Sequence, residues 1–249
     1  MTDPRPSQWK LRPARDHGLT PAERMRSAGR EPGLGGIALA TGWRGVVRFY
    51  LRAFHRLEVK GREHLPPPPF VVVGNHASHL DALTVAAALP PALARRAFAM
   101  AAGDTFFTSL VGSAFAAYAV NALPVWRGST TEADIDAWRA RMEEDGAVLI
   151  LFPEGTRTRT GAMGRFRPGI GALVAGRPVP VVPCYLDGAH AAWPPTRRWP
   201  RPGKLQLRFG PALVFKDAAS DRAGTVAVAA ACEDAVRRLM PGRPTEVAQ

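Results

Sequence analysis

His76 and Asp81 stand five positions apart in Asn75-His76-Ala77-Ser78-His79-Leu80-Asp81, directly after the apolar run Phe70-Val71-Val72-Val73-Gly74. A histidine in a turn and a carboxylate in the first turn of a following helix can touch when the chain bends between them. The carboxylate then fixes the imidazole's tautomer and stabilises its protonated form. The other ring nitrogen can take a proton from a hydroxyl, which is general base catalysis. The spacing alone also suits a purely structural histidine, the commoner case at a strand end. His76, His79 and Asp81 are in addition ordinary zinc ligands by type, but nothing recognisable elsewhere in the sequence completes such a site, so no metal is expected.

A second reactive stretch is Phe152-Pro153-Glu154-Gly155-Thr156-Arg157-Thr158-Arg159-Thr160-Gly161, again after a buried apolar run. Glycines, hydroxyls and arginines in one loop can cradle a phosphate. It is not a P-loop, because no Gly-Lys-Ser/Thr follows the glycines. Between the two loops lies Asn121-Ala122-Leu123-Pro124-Val125-Trp126-Arg127, where one arginine ends a long uncharged stretch.

These loops need elements to carry them. Phe70–Val73, Ala147–Phe152 and Val179–Tyr185 read as buried strands, and Lys204–Phe209 alternates as a half-buried one. Helices are expected from about Asp81 to Leu89, Glu132 to Glu144, Pro168 to Ala175 and Val226 to Met240. Strands alternating with helices predict a single α/β domain with a central mixed, largely parallel sheet flanked by helices. In such sheets ligands bind beyond the carboxyl ends of the strands, where both loops fall.

Before this domain, residues 1–35 read as a flexible basic extension punctuated by proline and the Gly-Leu-Gly-Gly at 33–36. Residues 36–57 read as an amphipathic helix with Arg44, Arg48, Arg52 and Arg56 on one side. Trp43, Val46, Val47, Tyr50, Phe54 and Leu57 fall on the other. A basic stripe opposite aromatic residues suits an interfacial helix on anionic lipid; equally, the apolar face can pack on the core with the arginines solvated. Thr105–Trp126 holds 22 uncharged residues, long enough to span a bilayer, but its Thr, Ser, Asn and Pro content argues against a true span.

Among 249 residues, 33 are Lys or Arg and 21 Asp or Glu, a net charge of +12, and 29 of the 33 basic residues are arginine. With 46% hydrophobic residues the chain is not disordered, and two cysteines cannot build a disulfide framework. The charge asks for an anionic partner: nucleic acid, a membrane surface or a phosphorylated substrate.

In combination the blocks are specific. NHASHLD, NALPVWR, FPEGTRTRTG and VPVVPCYLDG, in that order, resemble the four motif blocks of the glycerolipid acyltransferase superfamily, the 1-acylglycerol-3-phosphate acyltransferase group. The resemblance covers roughly residues 58–215 and makes residues 58–249 the acyltransferase domain. It implies that His76 is the general base, oriented by Asp81, that deprotonates an acceptor hydroxyl. That hydroxyl attacks the thioester of acyl-CoA or acyl carrier protein with no acyl-enzyme and no cofactor beyond the donor. Arg127 and Glu154-Gly155-Thr156-Arg157 would bind the acceptor's phosphate and glycerol portion. It further implies a peripheral or monotopic enzyme on the cytoplasmic face of the membrane, acting on a lysophospholipid or glycerol-phosphate-type acceptor. Two positions depart from the family pattern: Asn121 replaces a usual glycine, and Cys184 a usual small aliphatic residue. A basic nucleic-acid-binding protein is the alternative from another class, prompted by charge alone and lacking an aromatic platform or recognition helix. A lipid binder without turnover is the other, and the intact His76, Asp81 and Glu154 argue against it.

Overall fold

Phe70–Gly74 is buried along its whole length, with Phe70, Val71, Val72 and Val73 all fully enclosed. β-branched residues buried on both sides are what a central parallel strand requires. A computed structural model describes residues 15–27, 34–102, 121–125 and 130–242. Within them the strands are β1 (Glu58–Lys60), β2 (Phe70–Gly74), β3 (Ala97–Ala102), β4 (Ala122–Val125), β5 (Val148–Leu151), β6 (Val181–Asp187) and β7 (Gln206–Phe209). They form one sheet in the order β1-β7-β6-β2-β5-β3-β4. The five strands β6-β2-β5-β3-β4 are parallel, and β7 joins β6 antiparallel and carries β1 beside it. The expected mixed, largely parallel α/β sheet is therefore present.

The helices are α1 (Pro21–Arg26), α2 (Leu34–Ala53), α3 (Asp81–Ala88), α4 (Pro91–Ala94), α5 (Glu132–Asp145), α6 (Gly169–Val174), α7 (Ala189–Ala192) and α8 (Arg222–Arg238). Alternate residues of β2 face two separate cores. Phe70 and Val72 pack with Leu51 of α2 and Val85 of α3. Val71 and Val73 pack with Trp138 and Met142 of α5, Ile170 and Leu173 of α6, and Val228 of α8. A Cβ on Gly171 would stand 2.3 Å from the Thr225 carbonyl oxygen, so this glycine sets how closely α6 and α8 approach.

Caps set the start of α1, both ends of α5 and the start of α8. Thr131 and Asp134 form a capping box at the start of α5, and Gly146 ends that helix in the left-handed region with φ 58°. The Asp221 carboxylate accepts from Gly224 N at 2.7 Å, which starts α8 four residues before the apolar periodicity begins.

The region before the domain departs from expectation in three respects. Residues 15–27, read as part of a flexible extension, hold α1, whose Thr20–Glu23 capping box is complete, and Arg15 pairs with Asp145 of α5; residues 1–14 and 28–33 lie outside the described residues. The amphipathic helix ends at Ala53, and Arg56 has left it with φ 47°. Finally, the arginine stripe is not uniformly turned to solvent. Arg48 donates to the Ala87 and Leu89 carbonyls at 3.0 and 2.8 Å, and Arg62 to Ala88 at 2.9 Å. Both cations thus satisfy carbonyls at the carboxyl end of α3, where the helix dipole is negative.

The outer face of α2 is apolar. Val47 and Leu51 are buried, whereas Leu39, Val46 and Phe49 are 72%, 59% and 74% exposed. No described helix is long and apolar enough to cross a membrane. Of the stretch Thr105–Trp126, residues 105–120 and 126 lie outside the described residues. Its described end, Ala122–Val125, is the edge strand β4, a position that tolerates Pro124.

Candidate active site

Because β5, β2 and β6 are adjacent and parallel, the loops that follow them emerge at one edge of the sheet. These are residues 75–80, 152–161 and 188–197. The first turns away from the sheet by a side-chain substitution for backbone pairing. Asn75 Nδ2 donates to the Leu186 carbonyl at 3.0 Å and its Oδ1 accepts from Leu186 N at 2.8 Å. The amide thus continues the β2–β6 ladder while the Asn75 backbone bends.

His76 Nδ1 lies 2.8 Å from Asp81 Oδ2. The same oxygen accepts from Ala77 N at 2.7 Å and Ser78 N at 2.8 Å. Asp81 is fully buried at the first turn of α3, so its position is dictated by the helix and by these two amides. His76 is 24% exposed, and its ring stacks on Phe152 with centroids 4.5 Å apart. With Nδ1 engaged by the carboxylate, Nε2 is the nitrogen left for proton transfer. The sequence expectation that the two side chains meet is realised in the geometry.

Glu154 joins the first loop to the second. Its Oε1 accepts from His76 N at 2.7 Å and its Oε2 from Gly164 N at 2.9 Å. Burial pushes this carboxyl above its ordinary value, and the two backbone N–H groups pull it back. Thr158 N donates to the His76 carbonyl at 2.9 Å, a second tie between the loops. Gly155, with φ 73°, makes the turn between Glu154 and Thr156. Glu154 therefore sits beneath the site as a brace, Thr156 is exposed at its rim, and Arg157 reaches across to His79. Arg127 lies outside the described residues.

Beside this loop is an open depression of about 510 Å³ lined by Glu154, Thr156, Thr158, Arg165 and Arg167 among others. Arg165 and Arg167 were not singled out from sequence, although two arginines flanking Phe166 just downstream of the glutamate loop were a usable signal. Trp193 was likewise missed. Its carbonyl accepts from Ser78 Oγ at 2.8 Å and His79 N at 3.3 Å, contacts between segments more than a hundred residues apart. Among the described residues no group of three or more His, Cys, Asp or Glu side chains could hold a metal ion.

A largely parallel sheet thus delivers a carboxylate-oriented histidine and a glutamate–glycine–threonine–arginine loop to the same edge. The motif blocks beginning at Asn75, Asn121, Phe152 and Val179 all start inside residues 56–187, which match the Acyltransferase family, and the chain belongs to that family. The mouse protein 1-acyl-sn-glycerol-3-phosphate acyltransferase alpha is 30% identical over 161 residues, covering 63% of this chain and 54% of its own. The 1-acyl-sn-glycerol-3-phosphate acyltransferase of Pseudomonas aeruginosa is 27% identical over 160 residues, covering 64% of this chain and 59% of its own. The chain therefore spans about half the length of these relatives. The crystal structure of the 1-acyl-sn-glycerophosphate acyltransferase PlsC from Thermotoga maritima shares the fold. The TM-score is 0.60 at 21% identity, over 81% of this chain and 77% of that one.

Proposed function

We propose that this chain transfers a fatty acyl group from a thioester donor, acyl-CoA or acyl carrier protein, to the free hydroxyl of a 1-acylglycerol-3-phosphate-type acceptor. The observation that carries the reading is the 2.8 Å His76–Asp81 pair held beside the Glu154–Arg157 loop. His76 Nε2 takes the hydroxyl proton as the acceptor oxygen attacks the thioester carbonyl carbon. Asp81 stabilises the imidazolium so formed. The tetrahedral intermediate collapses with cleavage of the carbon–sulfur bond, and the imidazolium returns its proton to the leaving thiolate. No acyl-enzyme is needed, and the chain offers no exposed thiol in the described site, since Cys184 is buried.

Arg157, together with Arg127, is assigned to the acceptor phosphate, which a guanidinium can hold through two parallel hydrogen bonds. The depression lined by Thr156, Thr158, Arg165 and Arg167 provides room and positive charge for the head group. The apolar outer face of α2 supports peripheral association with the bilayer that supplies a lipid acceptor. In this arrangement Arg44 and Arg52 lie near lipid phosphates while Arg48 remains structural.

Purified protein supplied with labelled palmitoyl-CoA is expected to acylate 1-acylglycerol-3-phosphate and to leave monoacylglycerol, which lacks the phosphate, essentially unreacted. Equal transfer to both acceptors would remove the phosphate from the account, and transfer to neither would remove the activity.

A further inference from the structure

The loop that returns from β6 to β7, residues 188–205, carries three arginines and a lysine and no aspartate or glutamate. Lys204 pairs with Glu58 at 2.7 Å, and Arg197 Nη1 donates to the Ala191 carbonyl at 3.1 Å. Arg198 and Arg201 are exposed and have no acidic partner among the described residues. Between them Trp199 is 68% exposed, with the Arg198 guanidinium carbon 5.5 Å from the centre of its ring.

The loop is built rather than slack. Pro194, Pro195, Pro200 and Pro202 each restrict their own φ. Trp193 Nε1 donates to the Arg197 carbonyl at 2.9 Å, Arg197 N to the Pro194 carbonyl at 3.1 Å, and Arg201 N to the Ala192 carbonyl at 2.9 Å. An ordered turn thus keeps a large apolar ring in water with a cation on either side. Strand pairing places that turn. β7 runs antiparallel to β6, with Gln206 opposite Asp187, and β1 runs parallel to β7, with Glu58 opposite Gln206. Both ends of the loop and the chain leaving α2 therefore lie at the edge of the sheet that holds His76. Leu205 N donates to the His55 carbonyl at 3.0 Å, which ties the loop to the end of α2, where Phe49 and Phe54 are exposed.

We propose that residues 194–203 form a second lipid-contacting element, in which Trp199 enters the headgroup boundary of an anionic bilayer and Arg198 and Arg201 pair with lipid phosphates. An indole has an apolar body and a polar N–H, which suits that boundary, and arginines beside it are drawn to an anionic surface. One contact through α2 attaches the chain; a second at the same edge also fixes its orientation, with the loops around His76 turned to the bilayer. This contact rests on the reading of the chain as a peripheral membrane protein.

Cosedimentation of the full chain with vesicles of phosphatidylcholine and phosphatidylglycerol, and of phosphatidylcholine alone, reads the outcome. Arg198→Gln combined with Arg201→Gln is expected to weaken binding to the anionic vesicles roughly tenfold and to leave binding to pure phosphatidylcholine unchanged. Trp199→Ser is expected to weaken binding to the anionic vesicles about fivefold, and Trp199→Phe to stay within about twofold of wild type. Transfer to detergent-dispersed acceptor is expected to remain near wild type in all three. If these variants bind like wild type while the combined serine replacement of Leu39, Val46 and Phe49 does not, the loop contact is overturned and the α2 contact stands. Weakened binding in the loop variants with none in the α2 variant supports the loop and removes α2. A wild-type chain that does not sediment with anionic vesicles overturns both. Unchanged vesicle binding, with turnover lost for acyl carrier protein but kept for palmitoyl-CoA, would assign the patch to an acidic protein and overturn the lipid contact.

Discussion

At the scale of the residue, one carboxylate oxygen does most of the organising. Asp81 Oδ2 accepts from His76 Nδ1, Ala77 N and Ser78 N, all within 2.8 Å, in a fully buried position. An asparagine there keeps the shape but loses the charge that stabilises an imidazolium, and it brings an amide donor group into a buried position where Oδ1 has no hydrogen-bond partner among the described residues. Asp81→Asn is therefore expected to lower kcat by about 10²–10⁴-fold. It should also cost about 1–3 kcal/mol of stability, measured by denaturant unfolding. Full activity in this variant would detach Asp81 from the chemistry. The His76–Asp81 pairing was legible in the sequence because five positions across a turn can bring two side chains together locally. The inward role of Glu154 and the contact of His79 with Trp193 were not. Each depends on which strands lie side by side, and the order of β5, β2 and β6 is not a local property.

At the scale of the element, the strands with β-branched or long aliphatic runs were legible, as were helices marked by caps. The strand Ala97–Ala102 was not, because Ala-Phe-Ala-Met-Ala-Ala carries no β-branched residue; its pairing with β5 and β4 overrides that weak propensity. The helix α2 was foreseen as amphipathic, yet its periodicity could not say which apolar residues turn inward. Val46, which shares the apolar side with Val47 in the periodicity, points outward with Leu39 and Phe49, and Arg48 is committed to the end of α3. Apolar side chains that stay in water in the protein gain by entering the headgroup boundary of a bilayer. Replacing Leu39, Val46 and Phe49 together by serine is expected to weaken cosedimentation with anionic vesicles at least about tenfold. Activity on detergent-dispersed acceptor should be retained. Unchanged vesicle binding would remove this face from the account.

At the scale of the whole molecule, the net charge of +12 divides into parts. Arg48 and Arg62 satisfy helix carbonyls, Arg15 and Arg237 pair with acidic groups, and Arg165 and Arg167 line the depression at the site. The excess charge of the composition is therefore only partly available to a partner. Histidines give the molecule a pH dependence. His55 is fully buried with Nε2 3.0 Å from the Tyr50 hydroxyl, and burial holds it below the usual histidine range, against a smaller opposing effect of the Gly203 backbone. A lowered folded value means the folded state prefers the neutral ring. That stability is complete above the unfolded value of ~6.5 and is lost as pH falls from there through the lowered folded value, at no more than about 1.4 kcal/mol per pH unit for one proton. Denaturation midpoints are expected to drop between neutral and mildly acidic pH, and to drop less in His55→Gln. Identical pH profiles would contradict this assignment.

We propose that His76 removes the acceptor's proton at an edge of the sheet where Asp81 and Glu154 hold it in place. The most direct measurement is the turnover of palmitoyl-CoA and 1-acylglycerol-3-phosphate by His76→Ala, a partly exposed substitution that leaves both cores intact. A fall in kcat of about 10²–10⁴-fold is expected, with unfolding behaviour like wild type. A well-folded His76→Ala enzyme with wild-type turnover would contradict it.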